Sequence, residues 1–314
     1  MEKLKLAVLM GGSSVERAVS FRSAENMLNA LDKNKYDIKA IELPLDKANT
    51  EWVQKLIDFR PQMVLSALHG GKGENGAVQG LLRCLDIPYV GSKMFSSAVC
   101  MNKQAAKELM DYHHIPVVSG VYIPREDDIN TYEQKLALLE YPLIVKPNRG
   151  GSSIGISIVN DFAETKAAIE NIREKYDDNA VIERYIDGRE VTCAVLQTKD
   201  GLKVLSVLDI NKPSGIFDYE AKYVTKQNAA SFTTLPDYMR MMIEDIALKT
   251  FKVLKCSGYG CVDMIVQNEQ IYVIEVNTLP GMTERSLIPL AAGESGTLGE
   301  FLDTLINFEV ERHT

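Results

Sequence analysis

The most constraining stretch of the sequence is a pair of apolar runs near its C-terminal end. Residues 260–266 and 271–277 are rich in β-branched side chains, and a short polar segment separates them, which predicts a β-hairpin. Placing Asp263 opposite Glu275 centres the turn on Glu269, so the loop length fits that pairing. The hairpin therefore predicts two carboxylates on neighbouring strands.

One face of this hairpin is suited to a hard metal ion. Glu275 and Asn277 are two residues apart, so they share a strand face, and Asp263 lies across from them. Burying two unpaired carboxylates is costly, and a divalent cation removes that cost. Mg²⁺ typically binds a few carboxylates together with substrate phosphates. The alternative is a polar solvent face, and the hairpin alone favours neither. The phosphate-binding features described below favour the metal.

Composition and charge exclude several classes of protein. The net charge of −8 argues against a nucleic-acid surface. No apolar run approaches about 18 residues, so no membrane-spanning helix is expected, and the N-terminus has no signal-peptide cleavage pattern. The five cysteines are odd in number, scattered and without a CxxC motif. We therefore expect a reducing cytosol, with no disulfide framework and no zinc site.

The N-terminal segment has the pattern that opens a doubly wound α/β domain. An apolar strand, Leu4–Met10, ends in two glycines, and a helix with apolar spacing follows to about Leu31. The glycines do not form GxGxxG, so no dinucleotide is inferred. Glu16 has two readings. It is either the second member of a capping box with Ser13, or a carboxylate at the strand's C-terminal edge that faces a substrate amine.

A second glycine-rich loop begins at His69 and extends to Gly76, between a predicted strand at Met63–Leu68 and a helix from about Ala77. A strand end, a glycine loop and a helix N-terminus together favour an anion or another close ligand. The alternative is a connection in which the glycines only turn the chain and His69 satisfies a backbone group. A further strand is predicted over 87–92.

The features that favour phosphate binding lie in the middle of the chain. The predicted strand 141–147 carries Lys146 among apolar neighbours, and the small-residue loop 148–155 follows it. Such a loop can wrap a triphosphate with backbone N–H groups and hydroxyls. It does not match GxxxxGK[ST], so it is not a Walker-type loop. Lys146 either extends toward solvent along its aliphatic stem or meets a phosphate.

The predicted strand 180–186 contains a carboxylate that could contact a nucleoside. Glu183 could accept a hydrogen bond from an adenine amino group or a ribose hydroxyl, with Tyr185 and Ile186 as a flat apolar wall. The alternative is an edge strand with exposed charges, and the local pattern does not separate the two. The polar and aromatic connection 215–224 is a candidate lid.

In these segments and their order the chain resembles, from end to end, the D-alanine–D-alanine ligases of the ATP-grasp superfamily. The matching segments are Gly11–Glu16, His69-Gly70 with Gly73–Gly76, Ile87–Ser92, Val145–Pro147, Gly151–Gly155, Gly188–Glu190, Asp218–Tyr223 and Glu275–Gly281. Several ordered motifs at consistent intervals are specific for the family and less specific for the substrate.

The resemblance implies an ATP-grasp architecture of α/β and α+β domains, with an N-terminal doubly wound parallel-sheet domain. The expected domains are 1–101, which holds the first substrate, 102–187, the central domain, and 188–314, which carries the metal site. ATP would phosphorylate the carboxylate of the first D-alanine, and the amine of the second would attack the acyl phosphate. Cytoplasmic synthesis of a peptidoglycan precursor by a homodimer is the corresponding biological expectation.

The resemblance also implies a role for each matching residue. The expected ATP-binding residues are Lys103, Lys146, Ser153, Glu183, Tyr185, Ile186 and Glu190. The expected ligands of two Mg²⁺ ions, with Mn²⁺ as an alternative, are Asp263, Glu275 and Asn277. The expected catalytic residues are Glu16, Ser152, Tyr223, Gly281, whose N–H would support an oxyanion, and Arg285. The expected substrate-binding residues are His69, Lys222, Ser286 and Leu287.

One departure from the family pattern bears on catalysis. Cys261 stands where the family usually has an arginine that stabilises the tetrahedral intermediate, and a thiol is a weak donor. We therefore hypothesise that Arg285 partly substitutes for it. The alternatives to D-alanyl-D-alanine synthesis are ligation of a different amino acid or amine, and a catalytically weakened nucleotide-binding homologue. Tyr223 favours an amine nucleophile over a hydroxy acid by analogy with the family.

Overall fold

The computed structural model describes residues 3–46, 49–211, 230–294 and 296–313. Its strands form three separate sheets, of three, four and five strands within these residues. Each sheet has helices packed on it, as the alternating pattern of apolar runs predicts. In the described part of the chain, no helix combines the length and the apolar character that crossing a bilayer requires.

The N-terminal sheet is parallel, with strand order β2-β1-β3. Its central strand reads as a continuous apolar run because both of its faces are covered. The strands are β1 (Leu4–Gly11), β2 (Tyr36–Leu43) and β3 (Met63–Ser66). The helices of this region are α1 (Arg17–Ala30), α2 (Glu51–Phe59), α3 (Gly71–Glu74), α4 (Ala77–Cys84) and α5 (Met94–Met101).

The strand predicted over 87–92 is reduced to one parallel bridge. Tyr89 bridges Val64 in β3, with hydrogen bonds from Val64 N to Pro88 O and from Val90 N to Val64 O, both 2.9 Å. Pro88 has no N–H to extend the ladder, and Gly91, at a φ of 102°, turns the chain immediately afterwards. The prediction of a full strand over 87–92 was therefore wrong about its length, and the turn at Gly91 ends the extended segment.

The middle sheet is antiparallel, with strand order β4-β7-β5-β6. Its strands are β4 (Gly120–Ile123), β5 (Leu143–Pro147), β6 (Ser157–Val159) and β7 (Ala180–Arg184). Its helices are α6 (Lys103–Tyr112), α7 (Glu133–Ala137), which follows a 3₁₀ turn at Ile129–Tyr132, and α8 (Phe162–Tyr176). Because β7 lies inside this sheet, the edge-strand reading of Glu183 is wrong.

The third sheet is also antiparallel, with strand order β10-β9-β8-β11-β12. Its strands are β8 (Arg189–Thr198), β9 (Gly201–Ile210), β10 (Ala230–Phe232), β11 (Tyr259–Gln267) and β12 (Gln270–Asn277). Its helices are α9 (Asp237–Val253), α10 (Leu287–Ala292) and α11 (Leu298–His313).

The β11–β12 hairpin has the predicted pairing and one irregularity. Asp263 lies opposite Glu275, as expected, and the turn consists of Asn268 and Glu269, whose φ angles are 48° and 65°. Two consecutive left-handed residues fit the tight hairpin turn whose twist matches the strands. Because Met264 then pairs with Val273, Ile274 is an extra residue, a β-bulge.

The N-terminal sheet and the C-terminal helices share one hydrophobic core. Leu9 of β1, Ile288 of α10 and Leu302 of α11 are buried in the same cluster, together with Leu279 from the loop after β12. Burial of apolar area is the dominant favourable force here. It brings the loop after β12 against the first helix, α1.

Candidate active site

A cavity opens between the middle sheet and the β11–β12 hairpin. It is lined by most of the residues that the sequence predicts for nucleotide, metal and substrate binding. These are Lys103, Lys146, Ser153, Glu183, Tyr185, Ile186, Glu190, Asp263, Glu275, Asn277, Gly281, Arg285, Ser286 and Leu287. Residues more than 180 positions apart in the chain therefore meet around one space.

Two lysines and one carboxylate form a buried ion cluster at the wall of this cavity. Lys146 on β5 contacts one oxygen of Glu183 on β7, and Lys107 on α6 contacts the other. Lys146 and Glu183 are 4% exposed, so Lys146 does not extend to solvent. Burial opposes the charge on Glu183, but the two lysines outweigh it and hold the pKa of this carboxyl below its ordinary value.

Lys103 joins the small-residue loop to the hairpin. Its Nζ lies 2.8 Å from Oε2 of Glu275 and donates to the carbonyl of Gly150 at 2.7 Å. The start of α6 is held in place because Asn102 caps it, its side chain accepting from Ala105 N at 3.0 Å. The ammonium of Lys103 therefore stands where the loop after β5 faces the carboxylate of Glu275.

The loop after β5 reaches across to the N-terminal part of the chain. Ser152 and Ser153 have φ angles of 52° and 57°, in the left-handed region. The Ser152 hydroxyl donates to Oε1 of Glu16, while Ser153 lines the cavity. The loop thus offers one serine to each side of the site.

The hairpin face carries the donor set expected for a divalent cation. Asp263 and Glu275 are cross-strand partners, and Asn277 shares the face of Glu275. Thr192 Oγ1 donates to Oδ1 of Asp263 at 2.6 Å, and Leu279 N donates to Oδ1 of Asn277 at 3.0 Å. All three side chains are half-buried, and all present hard oxygen donors to the cavity. The residues present therefore fit Mg²⁺.

Glu16 stands at the start of α1, with its side chain turned toward the loop rather than the helix. It is 8% exposed, caps no backbone group with its side chain, and accepts from Ser152. The capping-box reading is therefore wrong for its carboxylate. Nearby, Glu74 accepts from Gly70 N at 3.0 Å. Burial, and next the charge of Glu16, raise the pKa of Glu74 to about 8.

His69 is buried rather than open to the cavity. It is 5% exposed, and its Nε2 lies 3.0 Å from the hydroxyl oxygen of Ser23 on α1. Burial lowers the pKa of His69 to about 4, so the imidazole is neutral near pH 7. The alternative reading, in which His69 satisfies a backbone group, matches its contact with the backbone of Leu279.

The segment after β12 closes the cavity on the remaining side. Gly281 approaches Ser286 so closely that a Cβ there would lie 2.7 Å from Ser286 Oγ. Thr283 N donates to Ser286 Oγ at 3.0 Å, which fixes the turn before α10. Arg285 lines the cavity and is exposed, whereas Cys261 lines it from β11 and is fully buried.

Two expected site residues, Lys222 and Tyr223, and the candidate lid 215–224 lie outside the described residues. Three side chains of the site were not selected from the sequence, namely Lys107, Thr192 and Ser23. Lys107 had a local signal, because it lies one helical turn after Lys103 on the same face of α6. Thr192 and Ser23 act through residues distant in the chain, and nothing adjacent to them marks that role.

Comparison with known proteins places the whole chain in one group. A family model described as D-ala D-ala ligase C-terminus matches residues 109–307, and its N-terminal counterpart matches 5–60 and 54–92. The D-alanine–D-alanine ligase of Bacillus anthracis is 41% identical over 304 residues, 96% of each chain. The enzyme from Clostridium botulinum is 38% identical over 310 residues, 98% of this chain and 99% of its own.

Solved structures agree with these relatives. The crystal structure of the B. anthracis ligase matches with a TM-score of 0.86 at 38% identity, covering 98% of both chains. The same enzyme complexed with ATP matches with a TM-score of 0.85 at 35% identity and the same coverage. The VanG D-Ala:D-Ser ligase of Enterococcus faecalis matches with a TM-score of 0.83 at 32% identity, covering 98% of this chain and 100% of that one.

Proposed function

The chain belongs to the D-alanine–D-alanine ligase family, and we propose that it uses ATP to join two molecules of D-alanine through an acyl phosphate. The product, D-alanyl-D-alanine, is a precursor of peptidoglycan. The observation that carries the proposal is the contact of Lys103 with Glu275, at 2.8 Å. This contact brings a cation suited to binding phosphate and a carboxylate suited to binding a metal ion to the same point of one cavity.

The lysines of the cavity suit the phosphates of ATP. A carboxylate is a poor electrophile, so phosphate must first be transferred to it, and phosphoryl transfer depends mainly on positioning and charge neutralisation. Lys103 and Lys146 would neutralise the phosphates, with Ser153 donating from the loop. Glu183 would hold Lys146 in place and, with Glu190, contact the nucleoside. Tyr185 and Ile186 supply an apolar wall for adenine.

Asp263, Glu275 and Asn277 would hold Mg²⁺, two ions by the family pattern, with Mn²⁺ as an alternative. The metal would supply charge neutralisation on the phosphate oxygens. The chain's own groups prepare that site. Thr192 orients the Asp263 carboxylate, and the Leu279 N–H orients the Asn277 amide.

The opposite side of the cavity suits the amino acids. Glu16, held by Ser152, would bind the ammonium of the first D-alanine, and Tyr223 would complete this group. The Gly281 N–H and Arg285 would stabilise the oxyanion that develops when the second amine attacks the acyl phosphate and expels phosphate. Lys222, Ser286 and Leu287 would hold the carboxylate end of the second D-alanine and the transferred phosphate, and His69 would lie behind this site.

A related second candidate is ligation of D-alanine to a different second amino acid. The buried Cys261, at the position of the family's usual arginine, favours it, and one of the matched structures is a D-Ala:D-Ser ligase. A catalytically weakened homologue is disfavoured, because Asp263, Glu275 and Asn277 all face the cavity.

The organisation of the protein is part of the same proposal. The three separate sheets support domains at 1–101, 102–187 and 188–314. The five cysteines are free thiols, which supports a cytoplasmic location. A homodimer rests on the resemblance to the family alone.

The test is phosphate release by the purified protein with ATP and Mg²⁺, with the products identified by mass spectrometry. D-alanine alone should give D-alanyl-D-alanine and one phosphate per dipeptide. D-alanine mixed with D-serine, D-lactate or an L-amino acid should give no more of the mixed product than of the dipeptide. A predominant mixed product would support the second candidate, and nucleotide binding without turnover would support the weakened homologue.

A further inference from the structure

We propose that Ser23, acting with His69 and Asn26, positions the loop Leu279–Met282 and thereby the Gly281 N–H for the acyl-transfer step. The inference rests on the proposed function, since it assigns positioning residues to that same site. None of these three side chains is required to touch a reacting atom. They act through the backbone of the loop.

A continuous series of polar contacts links the loop to Ser23 on α1 and to His69. Met282 N donates to Ser23 Oγ at 3.1 Å, and Ser23 Oγ lies 3.0 Å from Nε2 of His69. The backbone of Leu279 also interacts with the His69 ring and raises its pKa, as a carbonyl that accepts a ring proton does. Because Nε2 meets the serine, we assign the ring proton to Nδ1, so that Nε2 accepts the Ser23 hydroxyl proton. Each donor in the chain therefore has one acceptor.

The same loop is held by two further bonds. Asn26 Nδ2, one turn after Ser23 on α1, donates to the carbonyl of Met282 at 2.7 Å. Leu279 N donates to Oδ1 of Asn277 at 3.0 Å. The N–H of Leu279 and both the N–H and the C=O of Met282 are thus hydrogen-bonded, and Gly281 lies between these two residues. A glycine has no side chain to hold its own backbone, so its orientation depends on its neighbours.

The burial of this network indicates that it is rigid. Ser23 is 0% exposed, His69 is 5% exposed and Met282 is 1% exposed. Inside a protein such bonds are stronger than in water, and an unpaired group is costly. The loop therefore has one favoured arrangement, which is the property that a preorganised oxyanion donor requires.

The placement of Ser23 and Asn26 also couples the two halves of the reaction site. Glu16 immediately precedes α1, and Ser23 follows it by about two helical turns, roughly 10 Å along the same helix. One rigid helix thus carries the carboxylate proposed for the first amino group and the groups that hold the oxyanion loop. A change in its packing would move both together.

The size of the expected effect separates positioning from simple packing. Losing one hydrogen bond changes a folding equilibrium by about tenfold or less. Removing an oxyanion donor lowers kcat by about 10²–10³. If the Gly281 N–H is still present but less well positioned, kcat should fall by less than this limit. ATP binds on the other side of the cavity, so the KM for ATP should not change.

The experiment compares Ser23→Ala with the control Thr250→Val. Thr250 is also 0% exposed, its hydroxyl donates to the carbonyl of Ile246 within α9, and it does not line the cavity. We expect Ser23→Ala to lower kcat for dipeptide formation by about tenfold or more, with KM for ATP within about twofold, and Asn26→Ala to add to the loss. Thr250→Val should retain kcat. His69→Asn, which keeps a donor near the Nδ1 position, should retain more activity than His69→Leu.

Hydrogen exchange provides a second measurement that does not depend on activity. The amide of Met282 should be protected in the wild type and should exchange faster in Ser23→Ala, with no change in Thr250→Val. Wild-type kcat in Ser23→Ala, or unchanged protection of Met282, would overturn the positioning role. A wild-type protein that formed no dipeptide would instead overturn the proposed function, and the exchange rates would still decide whether Ser23 holds the loop.

Discussion

The carboxylate of Glu183 lies between the ammonium groups of Lys107 and Lys146, with one oxygen in contact with each. The arrangement separates two like charges that would otherwise face each other at the wall of the cavity. It also leaves the cluster with a net positive charge, which an incoming polyanion can neutralise.

The variant Glu183→Gln should be strongly destabilised, because two buried lysines lose their shared counter-charge. Breaking a buried ion pair typically costs about 3–5 kcal/mol. Urea unfolding measures the loss, and ATP should restore part of it by supplying phosphate charge. The exposed carboxylate of Glu133 on α7 gives the control, Glu133→Gln, which should unfold like the wild type. An unchanged unfolding midpoint for Glu183→Gln would contradict the ion-cluster account.

The variant Glu275→Gln should need more Mg²⁺ for activity, because it removes one of two carboxylates from the hairpin face. We expect the half-maximal Mg²⁺ concentration to rise by about tenfold or more, measured by titrating phosphate release at saturating ATP. Glu269→Gln, at the turn of the same hairpin, is the matched control and should respond to Mg²⁺ like the wild type. Equal Mg²⁺ curves for the two variants would exclude Glu275 as a ligand.

The variant Arg285→Ala should lower kcat by about 10²–10³ if its guanidinium takes the place of the family's arginine. The kcat of Arg285→Lys should lie between those of the wild type and Arg285→Ala, since lysine keeps the charge but not the planar pair of donors. Arg240→Ala, an exposed arginine on α9, is the control. Ligase turnover in Arg285→Ala equal to that of the wild type would end the substitution hypothesis.

His69 should make the folded protein less stable in acid. Its pKa is about 4 in the folded state, against an ordinary value of 6.5. As the pH falls through 6.5 the unfolded chain binds a proton that the folded chain does not, so stability is lost until the pH reaches about 4. The loss is at most about 3 kcal/mol. The difference in unfolding free energy between wild type and His69→Gln, followed across this window, measures it. A difference in unfolding free energy that does not change with pH would contradict the lowered pKa of His69.

Only Cys84 should react rapidly with a thiol reagent in the native protein. It is exposed, whereas the other four cysteines are buried. Burial raises the pKa of Cys193 and of Cys261, while a hydrogen bond to Cys256 and burial raise that of Cys100. A colorimetric thiol assay should count one fast thiol in the native wild type, none in Cys84→Ser, and all the remaining thiols after denaturation. Fast labelling of Cys261 would mean that the cavity opens more widely in solution than it does in the structure.

Local pattern was sufficient for the elements that carry their own signal. The start of α4 at Ala77 and the pairing of Asp263 with Glu275 agree with the sequence prediction, because periodicity and turn chemistry act over a few residues. The extra residue Ile274 was not foreseen. Counting from Asp263 and Glu275 centres the turn on Glu269, whereas the tight turn uses Asn268 and Glu269.

Contacts between distant segments could not be read from the chain. Ser152 reaches Glu16 across 136 positions, and Met282 reaches Ser23 across 259. Such pairs depend on how the sheets pack, which no local pattern encodes. The same limit explains why the sequence left two readings for Glu16. Its spacing from Ser13 is that of a helix cap, and only the approach of the loop after β5 separates the alternatives.

The bulge at Ile274 determines which changes in length the hairpin tolerates. Without the bulge, the pairing that starts at the turn would place Glu275 opposite Val262, with its side chain in the apolar interior. With the bulge, the side chains of Glu275 and Asn277 point away from that interior. Removing Ile274 itself would leave both outward. Removing Val276 would turn the amide of Asn277 inward. A deletion at Ile274 should therefore leave the proposed metal ligands in place, whereas a deletion at Val276, two residues away, should remove the proposed ligand Asn277 while both carboxylates remain.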